Sequence, residues 1–518
     1  MMLIGDMLRR DARLYARKAA IIDGDKKLAF GELNLRANRL ANGLSSLGLK
    51  KGDRIAFMGN NCHEFVEYYF ALAKAGFVAV PVNSRFSAEE AAYLVNHSES
   101  TAFIYTGEIE ATAGKTLKSA PGVRLAVSTG GASGSVRAYE DILFGASDAE
   151  PSSTIEAGDI ALIMYTSGAT GLPKGVITTF GNIMANTNTM SLETRSVHED
   201  VNLLVMPLYH SGGYWPTMTH AYRGATNILM SRFDVEAVLK VIEEYKVTFI
   251  NLVPTMLLRI VSHPDLSSYN LESLRFIMYA GAPIPIEQLK NAMRVLGPRR
   301  FYNSLGCTEA AGNLISFPTT DHALEGPMAS KLGSVGKDAM GVEIRVVDSS
   351  GNELPAGKPG EIIGRGANIA KGYLKMPEET ADVFRDGWLY TGDIGYRDEE
   401  GYIFIVDRKK DIIISGGENV SSHEVEEALC QHPAVLEVAV IGVPDREWGE
   451  AVKAVVAVKP GFEGLVGETE LIEFCRTRLA GYKKPRSVDF VAELPRNAAS
   501  KVDKAGLKKA YREKSAGK

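Results

Sequence analysis

Thr166, Ser167, Thr170 and Lys174 stand among Gly168, Gly171 and Gly175, directly after the apolar run 160–164. This mixture suits an anion. Glycines let backbone N–H groups approach closely, hydroxyls donate hydrogen bonds, and Lys174 adds a charge. A buried strand that opens into such a loop has the form of a phosphate cradle. It is not the G-x-x-x-x-G-K-[ST] loop: Pro173 stands where the second glycine should be, and Gly175 follows the lysine where Ser or Thr should. Taken alone, the stretch also reads as a Gly-rich surface turn.

The elements that must position this loop follow an alternating pattern. Leu33, Ala37, Leu40, Ala41, Leu44 and Leu47 fall at helical spacing on one face, and residues 64–75 form a second helix. Buried strands are expected at 54–58, 77–82, 102–105, 160–165, 202–206, 247–252 and 275–280. Strands alternating with helices imply a mostly parallel sheet, with ligands at the carboxyl ends of the strands. The Gly/Ser-rich residues 128–135 read as a flexible loop. Beyond about residue 340 the texture changes to short strands at 342–347, 361–364 and 402–406, separated by turns such as Ser350-Gly351, which suggests a small antiparallel unit. The charged break Asp407-Arg408-Lys409-Lys410-Asp411 then precedes an α+β pattern: helix 424–431, strands 435–443 and 451–458, helix 468–479 and strand 486–491. The expected fold is α/β. A large N-terminal domain (1–409) holds mostly parallel sheets sandwiched by helices plus the antiparallel unit, and a smaller, mobile α+β domain (410–518) follows.

At 518 residues the chain is too long for a single core, given roughly 150 residues per domain. A net charge of −5 leaves no basic footprint for nucleic acid or an anionic membrane. No run of eighteen apolar residues would span a bilayer, and the basic N-terminal residues lack the apolar segment of a secretory signal. Four widely spaced cysteines (Cys62, Cys307, Cys430, Cys475) form no CxxC and read as reduced thiols of a cytoplasmic protein. Cys307 reads as a packing residue rather than a nucleophile.

Several further stretches complete a pattern: Leu47 to Arg54, Lys74 to Asn83, Pro207-Leu208-Tyr209-His210-Ser211-Gly212-Gly213, Gly281-Ala282-Pro283, Tyr302-Asn-Ser-Leu-Gly-Cys-Thr-Glu309, Trp388-Leu-Tyr-Thr-Gly-Asp393, Ser415-Gly-Gly-Glu-Asn419 and Pro495-Arg-Asn-Ala-Ala-Ser-Lys501. In this order they resemble the acyl- and aryl-CoA synthetases of the adenylate-forming superfamily, which also holds firefly luciferase and the adenylation domains of peptide synthetases. The resemblance runs from Leu28 to Lys501. It implies a two-step reaction. A carboxylate attacks the α-phosphate of ATP to give acyl-AMP and pyrophosphate, and the thiolate of coenzyme A then displaces AMP. The first step joins two anions, so cation placement should dominate it. The second needs the acyl carbonyl turned to a new partner, so the site must be remodelled.

The resemblance also assigns roles. Thr166, Ser167, Gly168, Thr170, Gly171 and Lys174 would bind phosphate; Ala169 stands where the family usually has a hydroxyl. Gly281, Ala282 and Pro283 would border adenine, with Ser304, Leu305 and Gly306 nearby. Leu305 occupies a position where the family usually stacks an aromatic ring. Thr308 would contact phosphate, and Glu309 would hold Mg²⁺, a hard cation that takes carboxylate and phosphate oxygens. Asp393 would accept from both ribose hydroxyls, with Arg408 reaching ribose or phosphate. Lys410 falls at the hinge. Ser415, Gly416 and Gly417 would line the coenzyme A channel. The usual proline after this loop is absent, and Ser422 reads as the cap of the next helix. Lys501 would be the catalytic cation, although Ser500 replaces the usual glycine. Tyr209, His210, Tyr214, Trp215, Ala280 and Gly281 would form the acyl pocket, with His210 at its mouth as a catalytic gate.

ATP, Mg²⁺, coenzyme A and a small carboxylic acid are thus the expected ligands, without nucleic acid or a membrane span; a homodimer stays open. An acid–CoA ligase is favoured. An adenylating enzyme that passes its acyl group to a carrier protein or amine is the alternative, though only seventeen residues follow Lys501; so is a luciferase-like oxygenase. Medium-chain fatty, aromatic and alicyclic acids all fit, because no motif encodes the acid.

Overall fold

The alternating half of the chain resolves into two large sheets. We describe a computed structural model, covering residues 2–166, 172–496 and 502–516. The first sheet has nine strands in the order Lys337–Asp338, Gly312–Phe317, Phe301–Cys307, Phe276–Ala280, Phe249–Leu252, Val201–Leu204, Thr226–Leu229, Ala19–Asp23 and Lys26–Ala29. From Phe301–Cys307 to Ala19–Asp23 all neighbours are parallel, and the outer strands at both ends are antiparallel. The second sheet has eight strands, with Val78–Asn83, Arg54–Gly59, Ala102–Tyr105 and Leu125–Ser128 parallel. One edge of it is the antiparallel pair Ile160–Thr166 and Lys174–Thr179, extended by Gly372–Tyr373.

Burial follows this layering. The strands are nearly continuous apolar runs, as expected when both faces are covered. One core cluster joins the helices Ile4–Leu14, Phe30–Ser46, His63–Ala75 and Ser211–Tyr222 with residues of both sheets, such as Ile21, Phe57 and Leu204. A second covers the opposite face of the first sheet with the helices Val235–Tyr245, Pro254–Val261 and Ile286–Leu296. A third packs the helices Ala88–His97 and Glu110–Lys118 on the outside of the second sheet. Helices therefore lie on both faces of both sheets.

The antiparallel unit is a five-stranded sheet built from Val342–Val347, Gly360–Gly366, Trp388–Arg397, Phe384–Arg385 and Ile403–Arg408. A fourth sheet holds Ile413–Ser415, Glu418–Val420, Val435–Asp445, Gly449–Val458 and Ser487–Phe490, with its own core of Ile413, Val425, Val440, Val452 and Leu471. The turn at 409–411 lies between these two sheets.

Two local expectations differ from the structure. Leu47 is 36% exposed and ends its helix rather than joining the buried face. The loop expected at 128–135 follows a strand that ends at Ser128, and a bridge between Ser133 and Val136 closes its far end. The helix at 422–430 is capped by Ser421, whose hydroxyl accepts from the Glu424 N–H at 3.1 Å; Ser422 is its first residue. The Ser422 hydroxyl is engaged instead by Asp407 and Lys504.

Candidate active site

Thr166 and Lys174, on either side of the phosphate-loop candidate, lie on antiparallel strands. Thr166 pairs with Lys174 as the last rung of the ladder, so the two ends of the segment are fixed. Ser167, Gly168, Thr170 and Gly171 lie outside the described residues. The Lys174 ammonium lies 5.1 Å from the ring centre of Tyr373, on the strand that extends the same sheet edge. The Tyr373 hydroxyl in turn donates to Glu309 Oε1 at 2.8 Å. Burial, then the charge of Glu309, pushes the Tyr373 phenol well above its usual range, so it stays a neutral donor. Lys174 and Glu309, far apart in sequence, are thus joined through one tyrosine.

Glu309 occupies a single 3₁₀ turn, Thr308–Ala310, that ends with Ala311 in the left-handed region at φ 44°. Its backbone carbonyl accepts from the Ala370 N–H at 2.9 Å, and Asn368 Nδ2 donates to the carbonyls of Ala310 and Asn313. Thr308 is buried. Gly306 is required by close approach, since a Cβ there would sit 1.9 Å from the Gly312 carbonyl oxygen. Ser304 uses its hydroxyl on Asn313 Oδ1 at 2.6 Å. Leu305 is half-buried, packed against the core of the antiparallel unit. Leu305→Tyr is expected to tighten ATP binding two- to tenfold, from the roughly 0.5–1.5 kcal/mol of an added aromatic stack. Equilibrium titration with ATP checks this; unchanged or weaker binding would mean adenine is held elsewhere.

Asp393 and Arg408 face each other on paired strands, with Arg408 Nε 2.8 Å from Asp393 Oδ1. The Asp393 N–H is anchored by the Thr391 hydroxyl at 3.1 Å, and Thr391 donates to the Ile362 carbonyl. The charge of Asp393, with smaller contributions from Cys307, Asp411 and Glu309, raises the Arg408 pKa further. Asp393 is buried while Arg408 is half-exposed, so the carboxylate is fixed and the guanidinium can reach outward. Burial, then Glu309, pushes the Cys307 thiol far up. A thiolate is therefore disfavoured, and Cys307 serves as packing.

The strands Phe276–Ala280 and Phe301–Cys307 end side by side, with Ala280 paired to Ser304, and Gly281, Ala282 and Pro283 follow as exposed residues. Tyr209 is half-buried. Tyr214 and Trp215 lie in the core between the sheets, where Tyr214 meets the ring of Tyr69 at 4.7 Å. His210 is the cap of the helix Ser211–Tyr222: its Nδ1 accepts from the Gly212 N–H at 3.1 Å. A neutral ring bound this way carries its proton on Nε2. His210→Ala is expected to cost about 1 kcal/mol of stability through the lost cap. His210→Asn should restore the melting temperature but not turnover of the acid. Melting curves and kcat/KM for both variants separate capping from a role at the pocket mouth.

Lys410 is exposed in the turn at 409–411, and its carbonyl accepts from Lys508 Nζ at 2.9 Å. Just before it, Asp407 receives the Ser422 N–H and hydroxyl, and the Ser421 hydroxyl donates to the Val406 carbonyl at 2.7 Å. Ser415 is buried opposite Gly449. Gly416 must be glycine: its φ is 61°, and a Cβ would lie 2.5 Å from the Trp448 ring. Gly417 is exposed at φ 84°. Lys501 lies outside the described residues. The chain on either side of it is pinned, with Arg496 paired to Val502 and the Asp503 N–H bonded to the Pro495 carbonyl. Tyr373, Asn368 and Thr391 are contributors that the sequence reading passed over; Thr391 alone carried a signal, lying within the 388–393 stretch.

Lys174 beside the Gly-rich stretch, a carboxylate on a tight turn and a buried aspartate paired with an arginine, linked through Tyr373 and the neighbouring charges, form a site suited to a nucleotide. The family profile described as AMP-binding enzyme matches residues 8–374, and that of the AMP-binding enzyme C-terminal domain matches 424–501. A feruloyl-CoA synthase of an Amycolatopsis species is 38% identical over 513 residues, covering 98% of this chain and 99% of the relative. A 2-succinylbenzoate–CoA ligase of Bacillus licheniformis is 36% identical over 499 residues, covering 96% and 97%. The solved o-succinylbenzoate CoA synthetase of Bacillus subtilis, in complex with its acyl-adenylate, superposes with a TM-score of 0.85 at 31% identity and 97% coverage of both chains. An anthranilate CoA ligase in complex with anthranoyl-AMP gives 0.90 at 27% identity, covering 99% and 98%. The chain belongs to the AMP-binding enzyme family, and it is an adenylate-forming acid–CoA ligase. Among the described residues no helix is long and apolar enough to cross a membrane.

Proposed function

We propose that this enzyme activates an aromatic carboxylic acid with ATP and passes the acyl group to coenzyme A at one site, by turning its C-terminal unit about Lys410. The observation that carries the reading is the link from Lys174 through Tyr373 to Glu309, with the Asp393–Arg408 pair near enough for the Glu309 charge to act on Arg408. Lys174 and the hairpin amides hold the phosphates. Asp393 accepts from the ribose hydroxyls and is kept in place by Thr391 and Arg408. Tyr373 orients one oxygen of Glu309, leaving the other for a cation. One carboxylate beside nucleotide phosphates is a donor set that suits Mg²⁺, which would neutralise phosphate charge there. Lys501 would bring the acid carboxylate against the α-phosphate. The aromatic acid is favoured because the feruloyl and succinylbenzoate relatives, at 38% and 36% identity, stand above the long-chain-fatty-acid–CoA ligases at 34%.

The test is two assays on the purified chain. Pyrophosphate exchange into ATP should require acid but not coenzyme A, and steady release of AMP should require both. AMP release that needs an amine or carrier protein instead of coenzyme A would overturn the reading.

A further inference from the structure

Val201–Leu204 has Thr226–Leu229 on one side and Phe249–Leu252 on the other. The winding of the first sheet therefore reverses at this strand. Ligands of doubly wound sheets bind outside the carboxyl ends of the strands at such a reversal. The segment that leaves one of these strands carries His210, and the other strand carries Asn251.

Asn251 is 5% exposed, and its Nδ2 donates to the Gly212 carbonyl at 2.8 Å. A carbonyl can only accept, so this bond fixes which way the carboxamide faces. Among the described residues Oδ1 is left as a buried acceptor with no donor. The helices beside it also carry buried polar atoms without a partner among the described residues: Trp215 Nε1, Thr219 Oγ1 and His220 Nε2 on Ser211–Tyr222, and Asn186 Nδ2 on Phe180–Glu193. The two helices pack on each other, and the His220 ring lies 4.5 Å from Phe249 on the same strand as Asn251. Buried polar groups are normally paired, so the Asn251 acceptor left open near the carboxyl end of its strand calls for a guest that carries a donor. An alkyl chain would leave it unpaired.

We propose that Asn251 determines specificity by accepting a hydrogen bond from the acid, so that the preferred substrate carries a hydroxyl donor on its ring. The inference rests on the ligase reading above and deepens it. Register sets the reach. Asn251 pairs with Met278, two residues before Ala280, where the acyl pocket is expected to begin. Two residues along a strand and one strand across amount to about 8 Å. A flat ring with a short linker covers that span without losing rotational freedom on binding, and so presents a donor at a fixed depth.

The experiment uses the purified full-length chain and pyrophosphate exchange with paired acids: 4-hydroxycinnamate against cinnamate, 4-hydroxybenzoate against benzoate, and octanoate. Sites built to bond a hydroxyl reject analogues that lack it, so at least one hydroxylated acid should exceed its partner by about tenfold or more in kcat/KM. Asn251→Leu should remove or reverse that preference. The wild-type panel needs no variant to fold. Equal or better use of the unsubstituted acids or of octanoate by the wild type would overturn the proposal, and so would an equal loss for both members of a pair in Asn251→Leu. Exchange with none of the acids would instead overturn the aromatic-acid reading above, and this inference with it.

Discussion

Lys501→Ala should lower pyrophosphate exchange by about 10³-fold while leaving thioester formation from supplied acyl-AMP within a few-fold of wild type. Loss of one electrostatic contact at a reacting centre costs about 10²–10³ in rate. A cation that must bring two anions together belongs at the upper end. The demand exists only in the first half-reaction, because acyl-AMP already contains the joined anions. The pinning of Arg496 to Val502 and of Asp503 to Pro495 keeps the flanking chain in place when the side chain is removed, so the variant should fold. Comparable loss in both half-reactions would defeat the assignment.

Lys410→Pro should leave acyl-AMP formation nearly intact and slow transfer to coenzyme A by about 10²-fold or more. Proline fixes φ near −65° and removes the N–H, so a residue that must change its dihedrals is held in one state. Lys410 lies in the turn between the third and fourth sheets, where a change in two dihedrals would move the whole C-terminal unit. Lys501 and the Gly416-Gly417 loop belong to that one unit yet serve different steps in the proposed scheme, so the unit has to turn between them. Rapid-quench kinetics should find acyl-AMP accumulating without thioester. Equal slowing of both steps, or of neither, would make Lys410 an ordinary surface lysine.

The parts of the site legible in the sequence are those carried by contiguous residues. The hairpin announced itself by hydroxyls and glycines after an apolar strand, and Glu309 and Asp393 sat inside recognisable runs. Contacts made across the fold were not legible. Tyr373 joins Lys174 to Glu309 only because Gly372–Tyr373 adds to the edge of a sheet formed some two hundred residues earlier. The helix cap was misplaced by one residue because Ser421 and Ser422 are chemically alike, and only the Asp407 carboxylate decides between them. Leu47 kept the helical period, but the helix stops just before it and leaves the side chain half in water. Asn251 carried no signal at all: one asparagine in an apolar strand looks like a tolerated polar residue until its neighbours are known.

The three bonds from Ser421 and Ser422 to Val406 and Asp407 span the Lys410 turn, joining chain on both sides of the proposed pivot. If the unit turns about Lys410 as proposed, the half-reaction that this arrangement does not serve would require those bonds to be given up and the 5%-exposed Asp407 carboxylate to be supplied with other donors. The strength of that clasp then sets how long a finished acyl-adenylate waits before coenzyme A can reach it. An activated ester that waits is open to hydrolysis. In the proposed scheme the yield of thioester per ATP consumed would thus depend on a helix end that touches neither acid nor coenzyme A, and two enzymes with identical catalytic residues could differ in wasted nucleotide through this clasp alone.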